Sequence, residues 1–246
     1  MALQLLFWGM SFLNKHIFFD LDRTLWDFDR NSKMALHSIL EQENLIDKCF
    51  GFESFHKVYQ QKNKLLWKKY GKGKLTKEAL RYERFRAALK VFNVLDEDQI
   101  CRIGDAYVEL SPKQTILFPN ALAVLQDLKK MGFNLHIITN GFVEVQYKKM
   151  ENTGLRPFFE VIVCSEDIGF NKPHPSIFEH AMREAKAKPT CSLMIGDDYR
   201  ADISGAINAG MHAIWFEPDI KNTLRFENRI TSLNEIPQRA ARLLGY

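Results

Sequence analysis

Cysteine is scarce. The 246 residues carry four, Cys49, Cys101, Cys164 and Cys191, and no two of them form a CxxC pair. Scattered through apolar segments of a chain this long, they argue against a disulfide framework and read as buried thiols of a protein in a reducing compartment, the cytoplasm. A run of apolar residues long enough to cross a bilayer is also missing. Met1 to Leu13 is nearly all apolar, but a span needs about 20 residues. With no basic n-region and no small-residue cleavage site, the stretch makes a poor signal peptide. Met10 reads as the natural start, with the first nine residues an extension; the alternative is a short apolar arm on the surface. Internal repeats and low-complexity tracts are lacking too. Charge is nearly balanced at +4, so the chain as a whole selects no class of partner.

What is present is ordinary globular composition, 46% hydrophobic and 26% charged, in a length that suits one core domain and a smaller insert. Short apolar runs without alternation end in polar or glycine-containing turns. His16–Phe19 ends at Asp20, 134–138 at Thr139-Asn140-Gly141, 161–163 at Cys164, 193–195 at Gly196-Asp197, and 213–216 at Glu217. Such runs suit strands buried on both faces of a parallel sheet. Helical patterns separate them over 120–131, 176–186 and 202–209. The fold class is therefore α/β, an open, doubly wound parallel sheet. Between the first two strands, roughly ninety residues carry helix signals almost alone, too many for one crossover. They read as an inserted α-helical domain over 27–115, with 14–26 and 116–246 forming the core and 1–13 an extension.

Ligands of open α/β sheets bind beyond the carboxyl ends of the strands, and here those ends hold four polar groups. Asp20 and Asp22 stand in Asp20-Leu21-Asp22-Arg23-Thr24. One carboxylate can attack phosphorus while the other protonates the leaving oxygen; read alone, the pattern is also a turn with a helix cap. Thr139, Asn140 and Gly141 offer a hydroxyl and free N–H groups for phosphate oxygens, though such a tripeptide is more often a plain turn. Lys172 lies in a stiff loop between Gly169 and the prolines 173 and 175, suited to a fixed positive charge beside Asp20. The neighbouring His174 reads as a loop residue. Asp197, Asp198 and Asp202 follow a buried strand and suit Mg²⁺, or, more simply, an acidic helix start.

In this order the four segments resemble the motifs of haloacid dehalogenase superfamily phosphatases, with the helical insert where that family's helical cap belongs. The resemblance implies a Rossmann-like core and a Mg²⁺-dependent phosphomonoesterase passing through an aspartyl-phosphate. Asp20 would be nucleophile and metal ligand. Asp22 would be general acid and base, with its carbonyl on the metal. Thr139, Asn140 and Gly141 would hold the phosphoryl oxygens and Lys172 would stabilise nucleophile and phosphoryl group. Asp197 would bind the metal directly, Asp202 would orient Lys172 or a metal-bound water, and Asp198 would share that part. Arg23 stands where the superfamily often has glycine and is expected to face away from the chemistry. Asp20–Phe28 also resembles the pyrimidine 5′-nucleotidase branch that acts on noncanonical nucleotides, with Trp26 and Leu66-Trp67 as soft support and core packing as their other reading. Asp22 disfavours a dehalogenase, because halide departure needs no proton. A phosphomutase would share the first half-reaction.

Between Lys57 and Lys90 twelve basic residues face only Glu78 and Glu83, a surplus of ten positive charges. A basic insert beside an acidic core attracts small anionic phosphate esters. The rival reading is a nucleic-acid-binding module that stacks bases on Phe55, Tyr59, Trp67, Tyr70, Tyr82 and Phe85, but their near-helical spacing favours an internal core. Turnover of a generic phosphomonoester that stops on adding a chelator is expected. Salt-sensitive retention on nucleic acid without turnover would instead carry the rival.

Overall fold

The computed structural model describes residues 14–245, so the extension 1–13 lies outside the described residues. In chain order the elements are β1 (His16–Phe19), α1 (Phe28–Gln42), α2 (Phe52–Tyr70), α3 (Lys77–Leu89), α4 (Glu97–Leu110), α5 (Ala121–Lys130), β2 (Asn134–Thr139), α6 (Val143–Asn152), β3 (Val161–Cys164), α7 (Ser165–Ile168), α8 (Pro175–Glu184), β4 (Ser192–Gly196), a wide π-helical turn (Tyr199–Ser204), α9 (Gly205–Asn208), β5 (His212–Phe216), β6 (Arg229–Ile230) and α10 (Ile236–Leu244). No helix among the described residues is long and apolar enough to cross a membrane.

The chain divides into two compact units. One comprises the described residues through Leu25, Leu117–Val143 and the chain from Leu155 onward; the other comprises Trp26–Ile116 and Glu144–Gly154. The first holds a six-stranded sheet in the order β3-β2-β1-β4-β5-β6, with every pair parallel. Both faces are covered. Phe18, Ile138, Val163 and Met194 pack with Ile177, Phe178 and Ala181 of α8 and Ala206 of α9, while α5 and α10 lie against the sheet elsewhere. This two-sided burial explains why the strands read as unbroken apolar runs. β6 is two residues long and too short to stand out in the sequence.

β1 is central, in register with β2 (Phe19 beside Ile137) and β4 (Phe19 beside Ile195). The chain runs outward from it to β2 and β3 on one side, and the later strands fill the other. Asp20 emerges where the two directions part, the switch point at which open α/β sheets place ligands.

The second unit is helical. Asp27, Thr76 and Asp96 cap α1, α3 and α4 by accepting from the N–H groups of Arg30, Ala79 and Gln99 at 3.2, 3.1 and 3.1 Å. Its core gathers Leu36, Ile39 and Leu40 with Phe55, Tyr59, Phe85, Leu89, Ile100, Ile103 and Tyr107. Phe55, Tyr59 and Phe85 are thus packing residues; Trp67 and Tyr70 meet edge to face at 5.6 Å. Trp26 is fully buried, its indole donating to the Gln114 carbonyl at 3.0 Å. All four cysteines are free. Cys49 and Cys164 are buried as expected, but Cys101 and Cys191 keep partial exposure.

Away from Asp20, His16 at the start of β1 and His136 within β2 stack at 5.2 Å, with His16 Nδ1 3.0 Å from His136 Nε2. Both are buried. Burial lowers both pKa values, His136 to about 3 with help from the His16 and Lys129 charges, while Glu160 pulls His16 partly back. The unfolded chain therefore binds more protons than the folded one below the ordinary histidine pKa. Stability is full above pH 6.5 and drains as pH falls from there toward 3, by about 2 kcal/mol at pH 5. His136→Phe is expected to flatten that fall in denaturant midpoints measured from pH 7 to 5. A slope as steep as the parent's would show that the pair does not cause it.

Candidate active site

The site is assembled by strand ends and the loops that follow them. Asp20 is the first residue after β1, and its N–H donates to the Ile195 carbonyl at 2.9 Å, which ties it to β4. The chain then turns tightly, with Leu25 N–H donating to the Leu21 carbonyl at 3.0 Å, so that Thr24 Oγ1 returns to donate to Asp20 Oδ2 at 3.4 Å. The turn places Arg23 at φ 65°. This left-handed conformation suits glycine and is unfavourable for a residue with a Cβ, which gives a physical reason for glycine at this place. Arg23 is exposed, yet its charge acts on the Asp197 carboxylate and favours its ionised form.

Lys172 reaches into the same space. Its Nζ donates to Asp20 Oδ1 at 2.6 Å and to the Ile138 carbonyl at 2.7 Å, and lies 2.7 Å from Asp202 Oδ1. All three charged side chains are buried. The Lys172 loop is braced by Asn140, whose Oδ1 accepts from the Lys172 N–H at 2.8 Å and whose Nδ2 donates to the Lys172 carbonyl at 3.2 Å. Asn140 therefore engages its side chain, where the sequence reading used only its backbone. Thr139 is buried at the end of β2, its Oγ1 accepting from Gly141 N–H at 3.1 Å. His174 caps α8, accepting from Ser176 N–H at 3.3 Å, and stacks on Phe170.

The acidic loop after β4 splits its carboxylates between two tasks. Asp198 is exposed and accepts from the N–H groups of Arg200 and Ala201 at 2.9 and 2.8 Å, which caps the π-helical turn. Asp202, one turn on, points back beneath the loop and accepts from Asp198 N–H at 3.0 Å through Oδ2. Gly196 makes room for it: a Cβ there would stand 2.2 Å from Asp202 Oδ2. The loop is pinned by Trp215, whose indole donates to the Asp197 carbonyl at 2.8 Å.

Carboxylate oxygens of Asp20, Asp197 and Asp202 all lie within 4.8 Å of one another. Three carboxylates and one ammonium carry a net charge of −2 when ionised. Burial pushes Asp20 up to about 7 against the pull of Lys172, and raises Asp197 and Asp202 as well, Asp197 with added repulsion from its two acidic neighbours. Burial alone would lower Lys172, but Asp20 and Asp202 hold it above its ordinary value. The ammonium is thus a permanent charge that satisfies two acids and leaves Asp197 facing them. An all-oxygen donor set with surplus negative charge fits a hard divalent cation. Asp22 is partly buried, near enough for its charge to act on Asp20.

The sequence reading did not find the Ile138 carbonyl, the side-chain roles of Asn140 and Thr24, or Trp215. Backbone acceptors leave no trace in residue identity; Thr24, however, was visible as the last member of the DxDxT pattern.

Lys172→Met would leave Asp20 and Asp202 buried without their counter-charge. A loss of about 3–5 kcal/mol is expected in metal-free buffer, read from the denaturant midpoint. An unchanged midpoint would mean that the ammonium does not hold the two acids.

Known proteins share this arrangement of elements. A haloacid dehalogenase-like hydrolase model matches residues 14–210. The pyrimidine 5′-nucleotidase YjjG of Escherichia coli (strain K12) is 34% identical over 203 residues, 81% of this chain and 84% of its own. The glyceraldehyde 3-phosphate phosphatase of Methanothermobacter thermautotrophicus is 32% identical over 215 residues, 86% and 89% of the two chains. The crystal structure of the HAD-hydrolase YfnB from Bacillus subtilis, bound to magnesium, superposes with a TM-score of 0.82 at 29% identity and covers 95% of this chain and 100% of that one. A parallel sheet with its acids and lysine at the strand ends, matched over most of its length, makes this chain a member of the haloacid dehalogenase-like hydrolase family, among phosphatases.

Proposed function

We propose that this chain is a Mg²⁺-dependent phosphomonoesterase that works through an aspartyl-phosphate on Asp20, with nucleoside 5′-monophosphates, pyrimidine ones first, as substrates. The observation that carries the reading is the buried Asp20–Lys172 pair at 2.6 Å beside Asp197 and Asp202. A buried carboxylate beside a permanent cation, at the end of a central strand, is positioned to act as a nucleophile.

In the first step an Asp20 oxygen attacks phosphorus, the bond from phosphorus to the ester oxygen breaks, and Asp22 gives its proton to the departing alkoxide. In the second, Asp22 takes a proton from water, the hydroxide oxygen bonds to phosphorus, and the phosphorus–Asp20 bond breaks. Orthophosphate leaves and both carboxyl groups return to their starting states. Thr139 with the Asn140 and Gly141 N–H groups would hold the phosphoryl oxygens, and Lys172 would keep the Asp20 carboxylate oriented and offset the charge that gathers at phosphorus. Asp20, the Asp22 carbonyl and Asp197 would hold Mg²⁺, and Asp202 keeps Lys172 in place. Bound there, the ion supplies charge neutralisation for a dianionic ester approaching a carboxylate.

The substrate class rests on two supports. The surplus of ten positive charges between Lys57 and Lys90 favours anionic ligands, and the relative YjjG carries the name of a pyrimidine 5′-nucleotidase. The second reading, a phosphatase of small sugar phosphates, is favoured by the similarly matched glyceraldehyde 3-phosphate phosphatase.

Steady-state kinetics against pyrimidine and purine monophosphates and glyceraldehyde 3-phosphate decide between them. The largest kcat/KM is expected for a pyrimidine nucleotide, with turnover lost on chelation and restored by Mg²⁺. A preference for the triose phosphate would move the assignment to the second reading. Asp20→Asn is expected to lower kcat by roughly 10⁴-fold or more with an unchanged circular dichroism spectrum, because an amide cannot be the nucleophile; near-parental turnover would exclude the covalent route.

A further inference from the structure

Arg84, on α3 of the helical unit, is a guanidinium buried without a carboxylate. It is 5% exposed. Its Nε donates one long hydrogen bond to the Arg81 carbonyl at 3.4 Å, and its guanidinium carbon lies 5.1 Å from the Phe85 ring and 4.7 Å from the Tyr107 ring. Neighbouring arginines are served differently: Arg81 pairs with Asp105 at 2.7 Å and Arg86 with both Glu83 and Glu97. The nearby acids are thus spent on the surface, and among the described residues none pairs with Arg84. Two aromatic faces offset only part of the cost of an ion taken out of water without a partner. The segment around Arg84 adds to the deficit, because its net charge is strongly positive.

A second observation lies on α2. The Tyr59 hydroxyl and Asn63 Oδ1 are buried and have no hydrogen-bond partner. They stand four residues apart, on one helix face. The Tyr59 hydroxyl is close to Arg84 and to the Tyr107 hydroxyl without an aligned bond to either. Ser32 of α1 meets the Tyr107 hydroxyl at 2.8 Å. Each of the first four helices thus gives a polar group to one layer of an otherwise apolar bundle, and that layer has a cation and a hydroxyl to spare. Buried polar groups left in this state ask for an explanation, and a bound ion is one.

We propose that this layer is a binding site for a small oxyanion, a phosphate or carboxylate group received by the Arg84 guanidinium and the Tyr59 hydroxyl. A planar guanidinium is the side chain best matched to two oxygens of such a group. The site lies within the helical unit and does not depend on the phosphatase reading, so it is tested by binding rather than by turnover.

The experiment is thermal unfolding of the full chain in metal-free buffer at constant ionic strength, with inorganic phosphate in one arm and uridine monophosphate in the other. For the parent, an anion at tenfold its Kd is expected to raise Tm by about 4 °C. Arg84→Met is expected to lose the shift, and Tyr59→Phe to reduce it while leaving the anion-free Tm within about a degree. A shift with both ligands assigns a free anion; a shift with the nucleotide alone assigns an anionic group carried by an organic ligand. No shift in either arm overturns the proposal, as does a shift that Arg84→Met keeps in full. If Arg84→Met does not fold, Tyr59→Phe decides: an undiminished shift overturns the site.

Discussion

One ammonium group organises the catalytic end of this protein. Lys172 Nζ sits within 2.7 Å of oxygens from the loop after β1, the end of β2 and the π-helical turn after β4. Three separate strand ends are thereby fixed to one buried atom. Everything else at the site serves that contact. Asn140 holds the lysine's own backbone, Gly196 leaves the volume that Asp202 fills, and the Asp198 cap sets the turn that delivers Asp202. The electrostatic result is a cluster that one internal cation cannot neutralise. That deficit links the fold to the proposed chemistry, because the same carboxylates whose charge suits a divalent ion are those that would attack and hold a phosphoryl group.

How much of this is legible in the sequence depends on the kind of interaction. The parallel sheet is, because burial on both faces forces unbroken apolar runs that end abruptly in polar residues; Phe19 to Asp20 and Ile195 to Asp197 are clear cases. Side chains placed directly at strand ends are legible for the same reason. What the residues do to one another is less so. Asp198 and Asp202 look alike in the chain, yet one caps a turn and the other meets the lysine; the π-helical turn, which no periodicity announces, makes the difference. The left-handed backbone of Arg23 and its effect on Asp197 emerge only from the fold.

The helical unit has its own economy. Capped helices and a dense aromatic core, with Tyr59 against Phe85 and Phe85 against Tyr107, account for most of its aromatic residues as packing. The exceptional feature is polar: a guanidinium and two side-chain oxygens left over inside that core. A core built for stability alone would exclude them. The two units thus raise the same problem with opposite signs, surplus negative charge among strand ends and surplus positive charge among helices, and each surplus points to a ligand of the complementary kind.

The carboxylates around Lys172 have the donor chemistry of a divalent-cation site. Calorimetric titration of Mg²⁺ into the metal-free chain and into Asp197→Asn tests it most directly. One ion per parent chain is expected and, for the variant, affinity at least tenfold weaker. Equal affinity in the two proteins, or no saturable binding to the parent, would contradict it.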